Sequence, residues 1–429
     1  KTVHTLFSGP AAGAQAAAYL AAEDAKKGLV TLDMGGTSCD IAFIEGGTPL
    51  EVTEGEVARR RLDVPALDLT TISAGGGSIA WIDGGGLLAV GPQSAGADPG
   101  PVCYGKGGEN PTVTDADIAC GFLNPDYFLG GAQSLDVAAS LTALEKKVGA
   151  PLGMTALETA AGIRRIVDMR MADEVRIFGA KRGVDPQEFT LLPFGGAGAV
   201  HAAPVAEELG MTRILVPPRP GAFSALGLLC TDVVHDYIRS ELRPLDQVPP
   251  AHAEQIFREL EERGRIELES EGMDPALAHF ARELDMRYTG QGYELRVGLD
   301  GIGGAGGLDD AALAEARDRF DGIHARIHGH AAKEKPAEVV SYRVRARVAV
   351  PKYQPVAERD FSPAPAPDAA RKGSRDVWFT SDAATETAIW DRNALAAGAT
   401  LQGPAIVEQL DTTIVIEPGD AVVADNLGN

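Results

Sequence analysis

The run Asp33-Met-Gly-Gly-Thr-Ser-Cys-Asp40 constrains the fold of this chain more than any other part of its sequence. It lies between two short apolar runs of strand character, 28–32 and 41–44. This pattern predicts two strands joined by a glycine turn. Glycine permits positive φ, so successive N–H groups in such a turn can converge on an anion. An ordinary hairpin turn with a capping aspartate is the simpler interpretation of the same residues.

The residues of the turn suit a phosphate group and a metal ion. Gly35 and Gly36 leave the backbone accessible, and Thr37 and Ser38 add hydroxyl donors. Asp33, at the end of the first strand, is of the type that holds a divalent cation directly or through water. The turn therefore predicts a phosphate-binding hairpin, with Asp33 as the candidate metal ligand.

A second glycine turn, Phe194-Gly-Gly-Ala-Gly198, follows a predicted strand at 189–193 and precedes a predicted helix at 199–209. A glycine turn at a helix N-terminus supplies free N–H donors and a favourable dipole for a phosphate or a ribose-side contact. A further strand is predicted at 213–216, and this order of elements indicates an α/β unit. Neither glycine turn has the spacing of a P-loop or of a Rossmann dinucleotide motif.

Several other side chains are weaker candidates. Four of them lie in or beside a long loop rich in glycine and proline, and they could line an acceptor pocket or a metal site: Asp98, Cys103, Asp115 and Asp117. Turn capping and helix starts are the simpler roles, with Thr114 or Asp115 as the cap of a following helix. His201 could face a nucleotide, although a structural role is more common for such a residue. Asp168 is most simply part of a solvated helix face.

Bulk composition excludes several classes of protein. The formal charge of −22 argues against a nucleic acid or an anionic membrane as partner. No apolar run reaches the roughly 18 residues of a membrane helix. The four cysteines are scattered without a C-x-x-C pair, as expected of reduced thiols in a cytoplasmic protein.

The chain has 429 residues, enough for two or three domains of roughly 150 residues each. Segments that read as linkers, at 244–250 and 362–369, and a β-rich end divide it further. Helix is predicted at 134–183, from Arg219 and, as a charged amphipathic helix, at 251–271, and a hairpin is predicted from strands at 283–288 and 294–297. We predict an α/β lobe at 1–240, an α+β region at 241–360 and a β-rich unit at 361–429.

Taken together, the motifs of the chain resemble hydantoinase A of the hydantoinase/5-oxoprolinase family, over essentially its whole length. The motifs that carry this resemblance are Ser8-Gly-Pro-Ala-Ala-Gly13, Asp33-Met-Gly-Gly-Thr-Ser38, Ser94-Ala-Gly-Ala-Asp-Pro-Gly-Pro101, Pro111-Thr-Val-Thr-Asp115, Phe194-Gly-Gly-Ala-Gly198, Ser224-Ala-Leu-Gly-Leu228, Arg287-Tyr-Thr-Gly-Gln291 and Gly403-Pro-Ala-Ile-Val407.

The resemblance implies an actin-like or sugar-kinase-like fold, related to ribonuclease H, in which two lobes close around ATP. It implies ATP and Mg²⁺ as cofactors, a small cyclic amide as substrate, and an oligomer with a B-type subunit. Members couple ATP hydrolysis to opening a cyclic amide or to carboxylating a ketone. Phosphorylation of an amide or enol oxygen would activate either substrate. The motifs do not separate the hydrolase from the carboxylase, and a non-catalytic scaffold is the alternative of another class.

The resemblance also assigns roles to particular residues. Asp33, Gly35, Gly36 and Thr37 match the second of the family's two phosphate loops. Gly195, Gly196 and Gly198 match the turn on the adenosine side. Asp33, Thr37 and Asp115 are the candidate catalytic residues. Family members normally begin with another lobe that carries its own phosphate loop, and this sequence shows only one such loop. If the lobe is absent, the chain holds half an ATP cleft; the alternatives are a lobe supplied by another chain or by residues outside this sequence.

Overall fold

The structure is a computed structural model that describes residues 8–52, 55–57, 60–62, 66–303, 307–357 and 361–429. The chain divides into two compact units, one of residues 1–231 and 353–429, the other of residues 232–352. Within the described ranges, no helix is both long enough and apolar enough to cross a bilayer.

Ten α-helices are described. Their bounds are α1 Ser8–Leu20, α2 Ala22–Lys27, α3 Val113–Ala119, α4 Val137–Leu144, α5 Ala150–Leu152, α6 Ala156–Ala180, α7 Gly195–Leu209, α8 Phe223–Gly227, α9 Pro250–Ser270 and α10 Asp310–His328.

The described strands number twenty-two. Those before residue 100 are β1 Leu29–Met34, β2 Cys39–Glu45, β3 Thr48–Pro49, β4 Glu51–Val52, β5 Gly55–Val57, β6 Arg60–Leu62, β7 Ala66–Leu67, β8 Leu69–Ile72, β9 Ser78–Ile82 and β10 Leu88–Ser94. The others are β11 Thr190–Phe194, β12 Val233–Pro244, β13 Ala278–Tyr288, β14 Leu295–Gly298, β15 Ala337–Val348, β16 Ala364–Pro365, β17 Arg371–Val377, β18 Thr385–Asp391, β19 Ala399–Gln402, β20 Ala405–Glu408, β21 Thr413–Ile416 and β22 Ala421–Val423.

The first unit is built on a five-stranded sheet. Its order is β11-β1-β2-β3, and β8 pairs with the first residues of β2, Cys39 to Ala42. β1 runs parallel to β11 and antiparallel to β2, so the predicted hairpin is confirmed. On β1, Val30 and Leu32 pack into one hydrophobic cluster with α6 and α7, whereas Leu29 packs into another with α1. Helices therefore cover both faces of this mixed sheet, in which β1 and β11 are the parallel pair and β2 is antiparallel to β1, β3 and β8.

The helical region predicted between residues 134 and 183 is interrupted. Gly153 has a φ of 71° and ends the short helix α5, and Thr155 then caps α6. Thr155 and Glu158 form a capping box, in which each side chain accepts from the other residue's N–H. The apolar residues predicted to share one face, such as Ile163 and Val175, are buried.

Two predicted elements near residue 220 are shorter than predicted. The strand predicted at 213–216 is reduced to one bridge between Leu191 and Ile214. The helix predicted from Arg219 is a 3₁₀ turn followed by the five-residue α8. Arg219 itself has a φ of 56°, a conformation that cannot belong to a regular α-helix.

The C-terminal strands of the first unit form two small sheets, β16-β19-β22 and β17-β18-β20-β21. Four of their buried residues belong to the hydrophobic cluster that also contains Val30 of β1: Val377, Ile389, Ile406 and Val415. The polypeptide after residue 353 therefore contributes to the core of the unit that begins the chain.

The second unit is an antiparallel sheet with two helices. The strand order is β12-β15-β13-β14, and the predicted hairpin of β13 and β14 is confirmed. Phe257 of α9 and Phe320 of α10 are buried in one cluster with Tyr342 of β15. The charged amphipathic helix predicted at 251–271 corresponds to α9.

The fold is thus mixed α/β with several sheets, as predicted at the level of fold class. The more specific actin-like assignment and the three-part division at residues 240 and 360 stay predictions.

Candidate functional site

The predicted phosphate hairpin presents unpaired main-chain donors. Asp33 of β1 lies opposite Asp40 of β2, and the turn between them spans residues 35–38. Among the described residues, no hydrogen-bond acceptor contacts the main-chain N–H groups of Gly36, Thr37 and Ser38. Three adjacent N–H groups without a protein partner are suited to a bound oxyanion.

A second glycine loop supports this turn from behind. The N–H of Gly76 donates to the carbonyl of Gly35 over 3.0 Å, and that of Gly77 donates to Gly36 over 2.7 Å. A Cβ at Gly75 would lie 2.7 Å from the carbonyl carbon of Gly36. The sequence predicts only a glycine-rich loop here. The pairing explains the run of glycines, because side chains would hold the two backbones apart.

The other predicted turn lies beside the hairpin. Asp33 pairs in parallel register with Phe194, so the carboxyl ends of β1 and β11 meet at one edge of the sheet. α7 begins at Gly195, four residues earlier than predicted. Gly195 has a φ of 77°, and a Cβ there would lie 2.4 Å from the carbonyl oxygen of Met34. Only glycine fits this close approach of helix to strand.

One cavity of about 190 Å³ opens on both turns. Its lining residues are Gly35, Gly36, Gly76, Tyr104, Thr114, Asp117, Leu123, Asn124, Tyr127, Phe128, Leu129, Gly196, Ala197, Val200, Glu408, Gln409, Leu410, Asp411, Thr412 and Thr413. Of the predicted site residues, Gly35, Gly36 and Gly196 are in this lining, and so is Asp117, one of the weaker candidates. The predicted residues outside it are Asp33, Thr37, Ser38, Gly195, Gly198 and Asp115.

The three lining glycines differ from the supporting ones. A Cβ at Gly35 or Gly36 would meet no atom within 4 Å, and at Gly196 the nearest atom would be the carbonyl oxygen of Asp411 at 3.9 Å. None of the three has a φ in the left-handed region. Neither packing nor backbone conformation among the described residues therefore requires glycine at these positions. The lack of side chains instead leaves the cavity open beside the backbone.

Asp33 stands at the junction of the two turns. One carboxylate oxygen accepts a hydrogen bond from the hydroxyl of Ser224 over 3.0 Å. The other would lie 2.7 Å from a Cβ at Gly195. Burial raises the pKa of Asp33 to about 6, against the effect of the Ser224 hydrogen bond, and the charge of Asp40 raises it further. A cation beside this carboxylate would stabilise its charged form.

Asp115 is fully buried and is the third residue of a capping box. The cap of α3 is Thr112, not Thr114 or Asp115 as predicted. The carboxylate of Asp115 accepts hydrogen bonds from main-chain N–H groups of Val102, Cys103 and Thr112. The hydroxyls of Thr112 and Ser140 donate to it as well. It thereby fixes the long loop to the start of α3.

The other candidates of the long loop differ in exposure. Asp98 is exposed. Cys103 is buried, and its thiol pKa is raised well above the usual value, mainly by burial. Because a thiol with a raised pKa is a poor nucleophile, Cys103 is suited to packing rather than to catalysis.

Asp117 links the cavity to a buried charged cluster. Its carboxylate forms an ion pair with Arg164 of α6 and lies 3.4 Å from Nε2 of His201. Nδ1 of His201 lies 2.7 Å from a carboxylate oxygen of Asp168. Asp168 is only 7% exposed, so its predicted place on a solvated helix face is wrong.

Opposite charges balance within this cluster. Burial lowers the pKa of His201, but Asp117 and Asp168 outweigh that effect and raise it to about 9. Burial raises the pKa of Asp117, but His201 and Arg164 outweigh it and hold the value below the usual range. His201 is therefore an imidazolium at neutral pH, enclosed behind the cavity wall rather than facing the cavity.

The chain matches two family descriptions in succession. Residues 1–237 match hydantoinase/oxoprolinase, and residues 249–428 match the hydantoinase/oxoprolinase C-terminal domain. Caprolactamase subunit alpha of Pseudomonas jessenii is 34% identical, over 99% of this chain and 61% of the relative. Acetophenone carboxylase gamma subunit of Aromatoleum aromaticum is 35% identical, over 99% of this chain and 59% of the relative.

Two solved structures share the fold. A nucleotide-free acetone carboxylase gives a TM-score of 0.86 at 27% identity, covering 98% of this chain and 60% of that one. The ATP-dependent caprolactamase of Pseudomonas jessenii gives 0.76 at 33% identity, covering 97% and 60%. The chain thus spans about three fifths of the length of these relatives. With both family domains matched in order along most of its length, the chain belongs to the hydantoinase/oxoprolinase family.

Proposed function

We propose that this chain is the ATP-binding component of an ATP-dependent cyclic-amide hydrolase. The observation that carries the proposal is the set of three glycines, Gly35, Gly36 and Gly196, that line one cavity and whose Cβ positions are open. Space beside main-chain N–H groups is what a polyphosphate needs in order to approach a backbone closely.

The donors around this space fit a phosphate. The N–H groups of Gly36, Thr37 and Ser38 have no acceptor among the described residues. α7 begins at Gly195 without a side-chain cap, so the N–H groups of its first turn add donors and a positive dipole end. Thr37 and Ser38 add hydroxyls. Two loops on adjacent strands would thus hold the triphosphate by its oxygens.

Asp33 fits the role of a Mg²⁺ ligand or of an acceptor for a Mg²⁺-bound water. A buried carboxylate whose pKa is raised is stabilised by a nearby cation. Mg²⁺ in phosphate sites is commonly held by one or two carboxylates together with phosphate oxygens and waters. Asp115 does not line the cavity, and we assign it a positioning role through the long loop.

The chemistry that ATP supplies is activation of the amide. The amide oxygen forms a bond to the γ-phosphorus while the bond from that phosphorus to the bridging oxygen breaks and ADP leaves. One water then adds to the activated carbon, and cleavage of the C–N bond, with a proton passing to the leaving nitrogen, gives an acyl phosphate. A second water hydrolyses this acyl phosphate to the open-chain amino acid and phosphate. The residues of this chain contribute positioning and charge stabilisation to the first of these steps.

Names of relatives support the reaction class and a partner. Caprolactamase is described as ATP-dependent, and the matching chain is its alpha subunit. 5-Oxoprolinase 1 of Arabidopsis thaliana is 30% identical over 99% of this chain and 34% of the relative. We propose a B-type partner subunit, an oligomeric complex in the cytoplasm, and an actin-like arrangement of the ATP lobe.

A second candidate function is the ATP-binding subunit of a ketone carboxylase. It is favoured by the TM-score of 0.86 with acetone carboxylase. The same phosphate turns would then serve phosphorylation of an enol oxygen, and bicarbonate would be the second substrate.

Calorimetric titration with Mg-ATP and a phosphate-release assay test the proposal. The full-length gene product should bind Mg-ATP, and with its partner subunit it should release phosphate when a cyclic amide is added. Release that depends on a ketone and bicarbonate instead would establish the carboxylase. If Mg-ATP does not bind, the chain is a scaffold and the proposal fails.

A further inference from the structure

We infer that the acceptor substrate of this cavity is an uncharged molecule with an apolar body, such as a lactam without a ring carboxylate, and not an anionic one such as 5-oxoproline. This inference rests on the proposed function and specifies the substrate class of the same site. It depends on the side chains that share the cavity with the glycine turns.

A large part of the lining is aromatic or aliphatic. The rings of Tyr104 and Phe128 pack against each other with centroids 5.6 Å apart. Leu129 and Leu410 are 53% and 61% exposed, although both line the cavity. A Cβ at Gly130 would lie 2.3 Å from the side chain of Leu410, so the two leucine-bearing segments touch. These residues form an apolar wall beside the phosphate turns.

The charges of the lining all have one sign. Among the described residues that line the cavity, there is no lysine, arginine or histidine, whereas Asp117, Glu408 and Asp411 carry carboxylates. One oxygen of Asp411 accepts from the N–H of Gly221, and the other is buried with no hydrogen-bond partner among the described residues. An anionic ring substituent would be repelled by these carboxylates and would meet no cation in the described lining, whereas in the proposed function the triphosphate is compensated by the N–H groups of the two turns and by its Mg²⁺.

Nearby cations are already engaged. Arg392 donates to the side chain of Gln409 in the lining and to two main-chain carbonyls. Arg164 is paired with Asp117. Lys372 and Arg375 are both paired with Glu408. Burial raises the pKa of Glu408, but these pairings outweigh it and hold the value below the usual range, so the carboxylate stays charged. Lys372 and Arg375 therefore already neutralise the carboxylate of Glu408 in the cavity lining.

Lys106 is the exposed cation to consider. Its ammonium lies 5.8 Å from the ring centroid of Tyr104, outside the lining. A buried carboxylate needs direct pairing to offset its lost hydration. A solvated lysine beyond the aromatic ring does not provide that pairing, so the wall favours a neutral body.

A matched pair of substrates tests the inference. 2-Pyrrolidinone and 5-oxoproline share a five-membered lactam ring and differ by one carboxylate. With the full-length protein and its partner subunit, substrate-dependent phosphate release should have a kcat/KM at least about tenfold higher for 2-pyrrolidinone, which corresponds to about 1.4 kcal/mol. Equal or better use of 5-oxoproline would overturn the inference and leave the proposed function standing.

The second test introduces a positive charge at the apolar wall of the cavity. Leu410→Lys places a cation beside the cavity at an exposed position, so folding should be unaffected. The kcat/KM ratio of 5-oxoproline to 2-pyrrolidinone should rise at least about fivefold. Leu87→Lys, on the β9–β10 hairpin and 67% exposed, is the matched control and should leave the ratio unchanged.

The remaining outcomes are also decisive. An unchanged ratio in Leu410→Lys, or a loss of 5-oxoproline turnover in Lys106→Ala, would show that the carboxylate is recognised elsewhere and would overturn the inference. Release stimulated by a neutral ketone and bicarbonate would agree with a neutral acceptor while correcting the reaction class. No release with any acceptor would remove the proposed function itself.

Discussion

The N–H of Gly77 donates to the carbonyl oxygen of Gly36 over 2.7 Å, so the turn that lines the cavity is held in place by a second glycine loop. The glycines of the two loops differ in whether the surrounding structure leaves room for a side chain. Gly36 faces open space, whereas a Cβ at Gly75 would strike the backbone of Gly36. Substitutions on the two sides should therefore separate ligand binding from stability.

Gly36→Ala should weaken Mg-ATP binding at least about tenfold, because the new methyl group occupies the space in front of the free N–H groups. The free energy of unfolding should change by less than about 0.5 kcal/mol. Calorimetry and urea denaturation measure the two effects. Gly84→Ala, at the tip of the β9–β10 hairpin and equally open at Cβ, is the control that should leave both unchanged.

Gly75→Ala should destabilise the first unit by about 1–3 kcal/mol, because its Cβ would lie 2.7 Å from main-chain atoms that cannot rotate away. Urea denaturation of this variant beside Gly84→Ala measures the difference. A Gly75→Ala protein as stable as the parent would contradict the close approach of the two glycine loops.

Asp33→Asn should abolish substrate-dependent phosphate release while making the protein more stable near pH 7.5. Because burial raises the pKa of Asp33 to about 6, the folded state binds its proton more tightly than the unfolded state, whose pKa is near 3.8. The parent protein thus loses stability as the pH rises from about 4 to 6. The neutral amide side chain of the variant should restore about 1–2 kcal/mol of the free energy of unfolding.

Thermal denaturation and the phosphate-release assay, with Asp83→Asn as control, measure both effects of Asp33→Asn. Asp83 lies at the tip of the β9–β10 hairpin, where its carboxylate accepts from the N–H groups of Gly85 and Leu87. Full activity in Asp33→Asn would remove Asp33 from the proposed site.

His201→Gln should flatten the pH dependence of stability between about 6.5 and 9. The folded-state pKa of about 9 lies above the ordinary value of 6.5, so the charged imidazole stabilises the fold fully below pH 6.5. This contribution is lost as the pH rises through 9, by at most about 1.4 kcal/mol per pH unit.

The measurement for His201 is the urea midpoint of parent and variant at intervals across this pH range. The difference between the two midpoints should shrink as the pH rises, because above pH 9 the parent, like the variant, has no imidazolium beside Asp117 and Asp168, while Arg164 stays paired with Asp117 in both proteins. His252→Gln, which removes a partly exposed contact with Glu241, serves as the control. A difference that is constant with pH would indicate a neutral His201.

Asp115→Ala should destabilise the first unit by at least about 3 kcal/mol, because it leaves several buried main-chain donors without an acceptor. Asp136→Ala removes an exposed N-cap that accepts one hydrogen bond, and should cost about 1 kcal/mol. Chemical denaturation of the pair measures the contrast. Equal effects would show that Asp115 does not anchor the long loop.

Local sequence was sufficient for elements whose signals lie within a few residues. Two short apolar runs and a glycine turn predict the β1–β2 hairpin, and helical spacing from Ile163 to Val175 predicts α6. The start of α7 was misplaced, because Gly195 is a poor helix former by propensity and begins the helix only where β1 and β11 meet.

The family resemblance, the α/β class and the glycine turns were predictable from the sequence, because each depends on residue types at short spacing. Which residues share the cavity and which charges are buried became known from the folded structure. Asp117 and Arg164 are 47 residues apart, and Asn124 bonds Glu408 across 284 residues. A carboxylate on a helix looks the same in sequence whether water or a distant guanidinium solvates it, so its burial and its pKa are fixed only by what the fold places beside it.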